Sequence, residues 1–334
     1  MAEKQQDIPI PIIDLAPDDL HQISPHVHQA FKKLGFAYFK NHGVPETMVN
    51  EAFQWSAKFF ALPQQVKEKT SRAPERWKPR GYSGIGMEKT SQDIFQTDSS
   101  VKKEFVPDCK ESHEMGSDLN TRLGNLWPDE QDIPGFRDFF TRFYNVCYQT
   151  EVKLLKVLAL SLGLEESYFV RFHSPQANQL RILHYPPIQT ALLRQGKAER
   201  TGAHTDFGSI TMLFQDHVGG LEIADMDQPG NFIPVPYIPG TVVVNAGDLL
   251  MRWTNDEYKS ALHRVGTATL DKGQSADEVT ERRYSIPYFI GPDHHTMVDC
   301  VPSCHGPDWP KKYEPVDSSE YMAMRLEAIY SHVE

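Results

Sequence analysis

From about residue 177 onward the chain breaks into short strand-like segments separated by turn residues: 179–185, 209–214, 220–224, 231–235, 241–245, 261–269 and 282–290. Short strands in that rhythm bury a face only by closing on one another, which predicts a sandwich or jelly roll. Helical patterning lies to either side. Ser24-Pro25 opens a helix whose apolar positions Val27, Ala30, Phe31 and Leu34 recur at helical spacing until Gly35. A second runs from about Glu46 to Phe60. A long core-facing helix from Gly135 to Leu162 carries Phe136, Phe140, Phe143, Cys147, Leu154 and Leu155. Asp317-x-x-Glu320 is a capping box for a last helix over Tyr321 to Ile329. Ile8 to Leu15 and Phe36 to Phe39 read as strands, and residues 71–130 as mostly loop. The fold class expected is α+β, a strand-rich core with supporting helices. Residues 1–130 form its N-terminal helical and loop region; residues 131–334 hold the long support helix, the core and the C-terminal helix.

Composition excludes several functions. The 34 basic and 45 acidic side chains give a net charge of -11, which disfavours a general nucleic-acid binder and offers no polybasic patch for a membrane. No run approaches the roughly 18 apolar residues of a membrane span, and no apolar stretch follows the polar N-terminus as in a secretory signal. Four cysteines in 334 residues are too few for a disulfide scaffold, so a reduced, cytoplasmic setting is expected. Cys300-x-x-x-Cys304-His305, with His294-His295 upstream, lacks regular zinc-site spacing and reads as a loop.

The chemistry centres on Ala203-His204-Thr205-Asp206-Phe207. Residues two apart on an extended segment share a face, so His204 and Asp206 can reach one metal ion. His263, 57 residues further on in another strand-like segment, supplies a third ligand. Two imidazoles and one carboxylate on one face of an ion leave open positions for O₂ and a co-substrate, as non-haem Fe(II) oxygenases require. Arg283 and Ser285 share a strand face 20 and 22 residues after His263. An arginine there can grip a carboxylate through two parallel hydrogen bonds, with the serine adding a third.

This set resembles the isopenicillin N synthase-like family of 2-oxoglutarate/Fe(II)-dependent dioxygenases. Further landmarks follow in family order: Pro9 to Leu15, Leu34 to Val44, Arg80-Gly81-Tyr82, Asp108-x-Lys110-Glu111, Gly219-Gly220-Leu221 and Asn245-Ala246-Gly247-Asp248. Arg181 to Pro186, His204 to Gln215 and Asn245 to Trp253 are most similar to fungal thymine 7-hydroxylase-like members. The resemblance implies a distorted double-stranded β-helix (jelly-roll) core. It also implies a reaction in which 2-oxoglutarate and O₂ become succinate and CO₂ while the substrate loses a hydrogen and is usually hydroxylated. By the same carry-over His204, Asp206 and His263 hold Fe(II), Arg283 and Ser285 bind the distal carboxylate of 2-oxoglutarate, and Tyr185 adds a hydrogen bond. Many relatives carry Asn two positions before that tyrosine; here Leu183 stands there, implying rearranged hydrogen bonding near the metal.

Strand periodicity then outlines a substrate pocket. With Tyr185 inward, so are Leu183 and Arg181; with Arg283 and Ser285 inward, so are Pro287 and Phe289. A flat substrate between Arg181 and Phe289 would meet a cation and an aromatic face, with Phe207 and Phe214 as further walls. Tyr82, beside Gly84 and Gly86, is a candidate lid residue. The expected substrate is a small cyclic or aromatic biosynthetic intermediate of secondary metabolism; the alternatives are thymine-like pyrimidine oxidation and an oxidative ring rearrangement or desaturation. Two other readings are a binding protein on an inactive oxygenase scaffold, opposed by the intact ligand set, and an iron enzyme that dispenses with 2-oxoglutarate.

Overall fold

The computed structural model describes residues 9–75, 78–91, 106, 108–266 and 278–330. Ile8, residues 76–77, 92–105 and 107 of the expected long loop and residues 267–269 of an expected strand lie outside them.

Among the described residues the four expected helices form, together with three short ones that the sequence reading did not include. Helix α1 (Ser24–Lys33) has Pro25 in its first turn and buries Val27, Ala30 and Phe31. Gly35 ends it at φ 70°, where a Cβ would lie 1.9 Å from the Lys259 carbonyl oxygen, so no other residue fits that approach. Helices α2 (Glu46–Phe60) and α3 (Gln64–Glu68) follow. Helix α4 (Phe136–Ser161) carries the buried stripe Phe136, Phe139, Phe140, Phe143, Cys147, Leu154 and Leu158. Each such phenylalanine contributes on the order of 2–3 kcal/mol by leaving water. Short helices α5 (Thr190–Arg194) and α6 (Asp248–Trp253) sit within the strand-rich half, and α7 (Ser318–Tyr330) closes the described chain. Asp317 caps α7, its Oδ1 accepting from the amides of Ser319 (2.8 Å) and Glu320 (3.2 Å). No helix among the described residues is long and apolar enough to cross a membrane.

Among the described residues twelve strands make two sheets. The larger comprises β1 (Ile12–Asp14), β2 (Phe36–Lys40), β3 (Gly81–Ser83), β4 (Glu111–Gly116), β5 (Gln179–Tyr185), β7 (Ile210–Gln215), β10 (Thr241–Ala246) and β12 (Arg283–Ile290), in the order β1-β2-β10-β7-β12-β5-β4-β3. The smaller comprises β6 (Thr201–His204), β8 (Leu221–Ala224), β9 (Phe232–Pro234) and β11 (His263–Val265), in the order β6-β11-β8-β9. A separate hairpin pairs β13 (Met297–Val298) with β14 (Val316–Asp317).

Alternate residues of the large sheet go to opposite faces. Leu180, Ile182, Met212, Phe214, Ile286 and Tyr288 join the helical core, where Phe143 meets Phe214 and Tyr144 meets Tyr288. On the inner face, Tyr38 and Val243 pack with Leu221 and Ile223 of the small sheet, and Leu183 and Tyr185 with Val265. The result is a jelly roll with α4 on its outer face, as expected for the fold class. Residues 71–130 are less loop-like than their composition suggests. Strands β3 and β4 extend one edge of the large sheet, so strands from before residue 130 lie at both of its ends. Strand β4 is buried throughout although it reads Glu-Ser-His-Glu-Met-Gly.

Candidate active site

His204 ends β6 and His263 begins β11, and the two are direct cross-strand partners. That register puts both imidazoles on one face of the small sheet, their ring centroids 4.3 Å apart. Asp206 comes two residues after His204, and its carbonyl accepts from the Asp248 amide at 2.8 Å, which fixes the turn into β7. One Asp206 carboxylate oxygen (Oδ1) stands 3.9 Å from His204 Nε2 and 3.7 Å from His263 Nε2. One ligand atom from each residue falls within 4.8 Å of the others, and among the described residues this is the only such cluster of three or more.

The hydrogen bonds choose which atoms face a metal. His204 Nδ1 lies 2.8 Å from the Gly202 carbonyl and His263 Nδ1 3.1 Å from that of Ala261, so each Nδ1–H donates to backbone and leaves Nε2 a free lone pair. Asp206 Oδ2 accepts from Thr211 Oγ1 (2.6 Å) and Asn245 Nδ2 (2.7 Å), leaving Oδ1 for the ion. Burial, then the adjacent His263, lowers the His204 pKa, so its ring is neutral as a ligand must be. Burial opposes ionisation of Asp206, yet His263, His204, Asn245 and Thr211 together hold its carboxyl below the ordinary range. Two imidazole nitrogens and one carboxylate oxygen suit Fe(II), and the donor set fits the metal implied.

The residues expected to bind the co-substrate sit on β12 and β5. Arg283 is 1% exposed, donates through Nε to the Gly219 carbonyl (2.5 Å) and through Nη1 to Ser285 Oγ (3.1 Å), and rests 4.8 Å above the Tyr185 ring. Arg283 and Tyr185 are register partners across β12 and β5, and Ser285 faces Leu183. Tyr185 Oη is 3.1 Å from Thr201 Oγ1. Arg283 makes no ion pair with a carboxylate among the described residues. Buried Lys110 joins Asp108 and Glu88, and Asp108 also accepts from the Gly202 amide, bracing the strand that carries His204.

A cavity of about 200 Å³ opens beside the metal ligands. Arg181 and Phe289 line it, as the strand periodicity indicated, and so do Phe207 and Glu114. Arg181 lies 5.7 Å from the Phe289 ring centroid and is ion-paired to Glu88 (3.2 Å) and to Glu114, its register partner on β4. Helix α7 forms the opposite wall through Met322, Ala323, Leu326 and Ile329. Two expectations fail. Tyr82 is not in the lining: it is buried in the core, and its hydroxyl donates to Glu111 (2.6 Å), which also holds Lys67 and His184. Phe214, three residues after the inward Thr211, falls on the other face and packs on Phe143 and His42. Glu114, Asn245 and Thr211 were not singled out as site residues from the sequence; the inward positions of β7 offered a signal for Thr211.

The comparisons with known proteins agree with this geometry. Residues 176–292 match the 2OG-Fe(II) oxygenase superfamily, and residues 10–130 match the N-terminal region described as non-haem dioxygenase in morphine synthesis. The chain belongs to the 2-oxoglutarate/Fe(II) oxygenase superfamily. It is 39% identical to a proline hydroxylase of Petromyces alliaceus over 91% of this chain and 92% of that one. It is 38% identical to a 2-oxoglutarate-dependent dioxygenase of Glarea lozoyensis, over 89% and 90%. The structure of Neurospora crassa thymine 7-hydroxylase with α-ketoglutarate and thymine is similar at a TM-score of 0.84 and 36% identity, with 96% of each chain covered. In such an oxygenase Fe(II) and 2-oxoglutarate together activate O₂ for oxidation of the substrate. Here the three ligand atoms converge, Arg283 is buried, and α7 forms one wall of the cavity.

Proposed function

We propose that this oxygenase hydroxylates a small cyclic nitrogen compound of no net charge, held in the pocket beside His204 and Asp206 by Arg181 and Glu114. His204, Asp206 and His263 are its iron ligands, Arg283, Ser285 and Tyr185 its co-substrate residues, and Phe207 and Phe289 its aromatic walls. The carrying observation is the Arg181–Glu114 pair. Two carboxylates already compensate the guanidinium, so it does not need a substrate anion. What the pair offers the pocket is a donor and an acceptor side by side, which matches a ring carrying adjacent C=O and N–H, or the two ends of a zwitterion. Thymine has the first pattern and proline the second, and the names of the similar proteins mention both. A biosynthetic role in secondary metabolism is in keeping with the fungal relatives. Four unpaired cysteines, two of them buried, support a reducing cytoplasmic setting.

Substrate-stimulated succinate release tests the proposal, across pyrimidines, lactams, free proline and aromatic acids. Neutral or zwitterionic nitrogen rings are expected to stimulate it. Arg181→Met is expected to raise KM for them about tenfold, a loss on the order of 1.4 kcal/mol, with 2-oxoglutarate affinity unchanged. Stimulation confined to aromatic carboxylic acids would overturn the assignment.

A further inference from the structure

We propose that Arg200 is a second cation for the distal carboxylate of 2-oxoglutarate, acting with Arg283 from the opposite sheet. Arg200 immediately precedes β6 of the small sheet, whereas Arg283 stands on β12 of the large one. Both flank the turn at Gly219–Gly220, where each glycine has a positive φ. The Gly219 carbonyl holds Arg283 Nε at 2.5 Å, and a Cβ on Gly220 would lie 3.8 Å from Arg200 Nη1 and 3.7 Å from Val265 Cγ1. Tyr185 lies between the two arginines: its ring is under Arg283, and its hydroxyl is bonded to Thr201, the residue after Arg200.

The charge balance around Arg200 is incomplete. The residue is 3% exposed, and its Nη2 donates to the Glu281 carbonyl at 2.6 Å. Its Nε is buried without a hydrogen-bond partner. Neither Arg200 nor Arg283 is ion-paired to a carboxylate among the described residues. Asp216 is within electrostatic reach of both, but its oxygens accept from the amides of Val218 (3.1 Å) and Tyr284 (2.5 Å) instead. Burial, then the neighbouring Arg283, lowers the Arg200 pKa. Two buried guanidiniums that repel one another, with no carboxylate ion-paired to either among the described residues, form a site that a bound carboxylate completes. The consequence is selectivity. A 2-oxo acid that ends in a carboxylate gains from both cations, and one that ends in a methyl group gains from neither.

The inference rests on the chain being a 2-oxoglutarate oxygenase and not on the identity of its primary substrate, which the test leaves out. Anaerobic binding of 2-oxoglutarate and of 2-oxopentanoate to the Fe(II)-loaded protein is followed through the visible charge-transfer absorption. For Arg200→Met the dissociation constant for 2-oxoglutarate is expected to rise about 10- to 100-fold, while that for 2-oxopentanoate stays as in the parent. Arg200→Lys, which keeps the charge, is expected to fall between, and it decides the matter if the methionine variant does not fold. Unchanged 2-oxoglutarate binding, or an equal loss for both acids, would overturn the proposal. Absence of the absorption band from the parent protein would count against the family chemistry itself and not against Arg200.

Discussion

His113 is fully buried in β4 with neither ring nitrogen hydrogen-bonded, tilted against Phe59 (4.7 Å) and edge-on to Phe136 (6.0 Å). Burial pushes its pKa down to about 3, so the folded protein keeps it neutral where an unfolded chain would protonate it. Between pH 6.5 and about 3 the unfolded state binds the extra proton, and stability falls as pH falls. Replacing His113 by Phe removes that term. In urea unfolding of the metal-free protein, the variant is expected to gain on the parent by about 1.4 kcal/mol for each pH unit below 6.5. A difference that does not vary with pH would show that His113 is protonated in the fold. Much at this scale was legible from strand periodicity alone. It placed Arg181 and Phe289 on one inner face, because a strand allows two faces and the 2-oxoglutarate residues fix which is inner. It could not place Phe214 without the register of β7, and it could not foresee that Tyr82 would donate to a buried Glu111.

Among the elements, β4 was hidden because its polar residues mimic a loop. Lys67 and His184 compensate Glu111, and Arg181 compensates Glu114, and those partners are distant in sequence. Helix α7 was visible through its Asp317 cap, but its role was not. Arg325 on α7 is ion-paired to Asp248, bonds Tyr321 Oη (2.9 Å) and Thr205 Oγ1 (3.3 Å), and covers the Phe207 ring at 4.2 Å. The helix that walls the pocket is thereby tied to the segment bearing His204 and Asp206. Arg325→Met is expected to lower kcat/KM for the primary substrate about tenfold, on the order of 1.4 kcal/mol. It is also expected to raise the succinate formed per hydroxylated product, with 2-oxoglutarate affinity retained. An unchanged ratio of succinate to product would mean that α7 takes no part in holding the substrate.

For the molecule as a whole, the strand rhythm and the family landmarks together specified the jelly roll and its metal edge. Neither could specify how the sheets meet. His204 and His263 belong to the small sheet, while Asp206 is held by Thr211 on β7 and Asn245 on β10 of the large one. An ion held by these three residues would join the two sheets. The most direct test is anaerobic titration of the metal-free protein with Fe(II) in saturating 2-oxoglutarate, read by visible absorption. A charge-transfer band that saturates at one iron per chain, and is lost in Asp206→Ala, is the expected result. An Asp206→Ala protein that keeps both the band and its turnover would contradict the assignment of the metal centre.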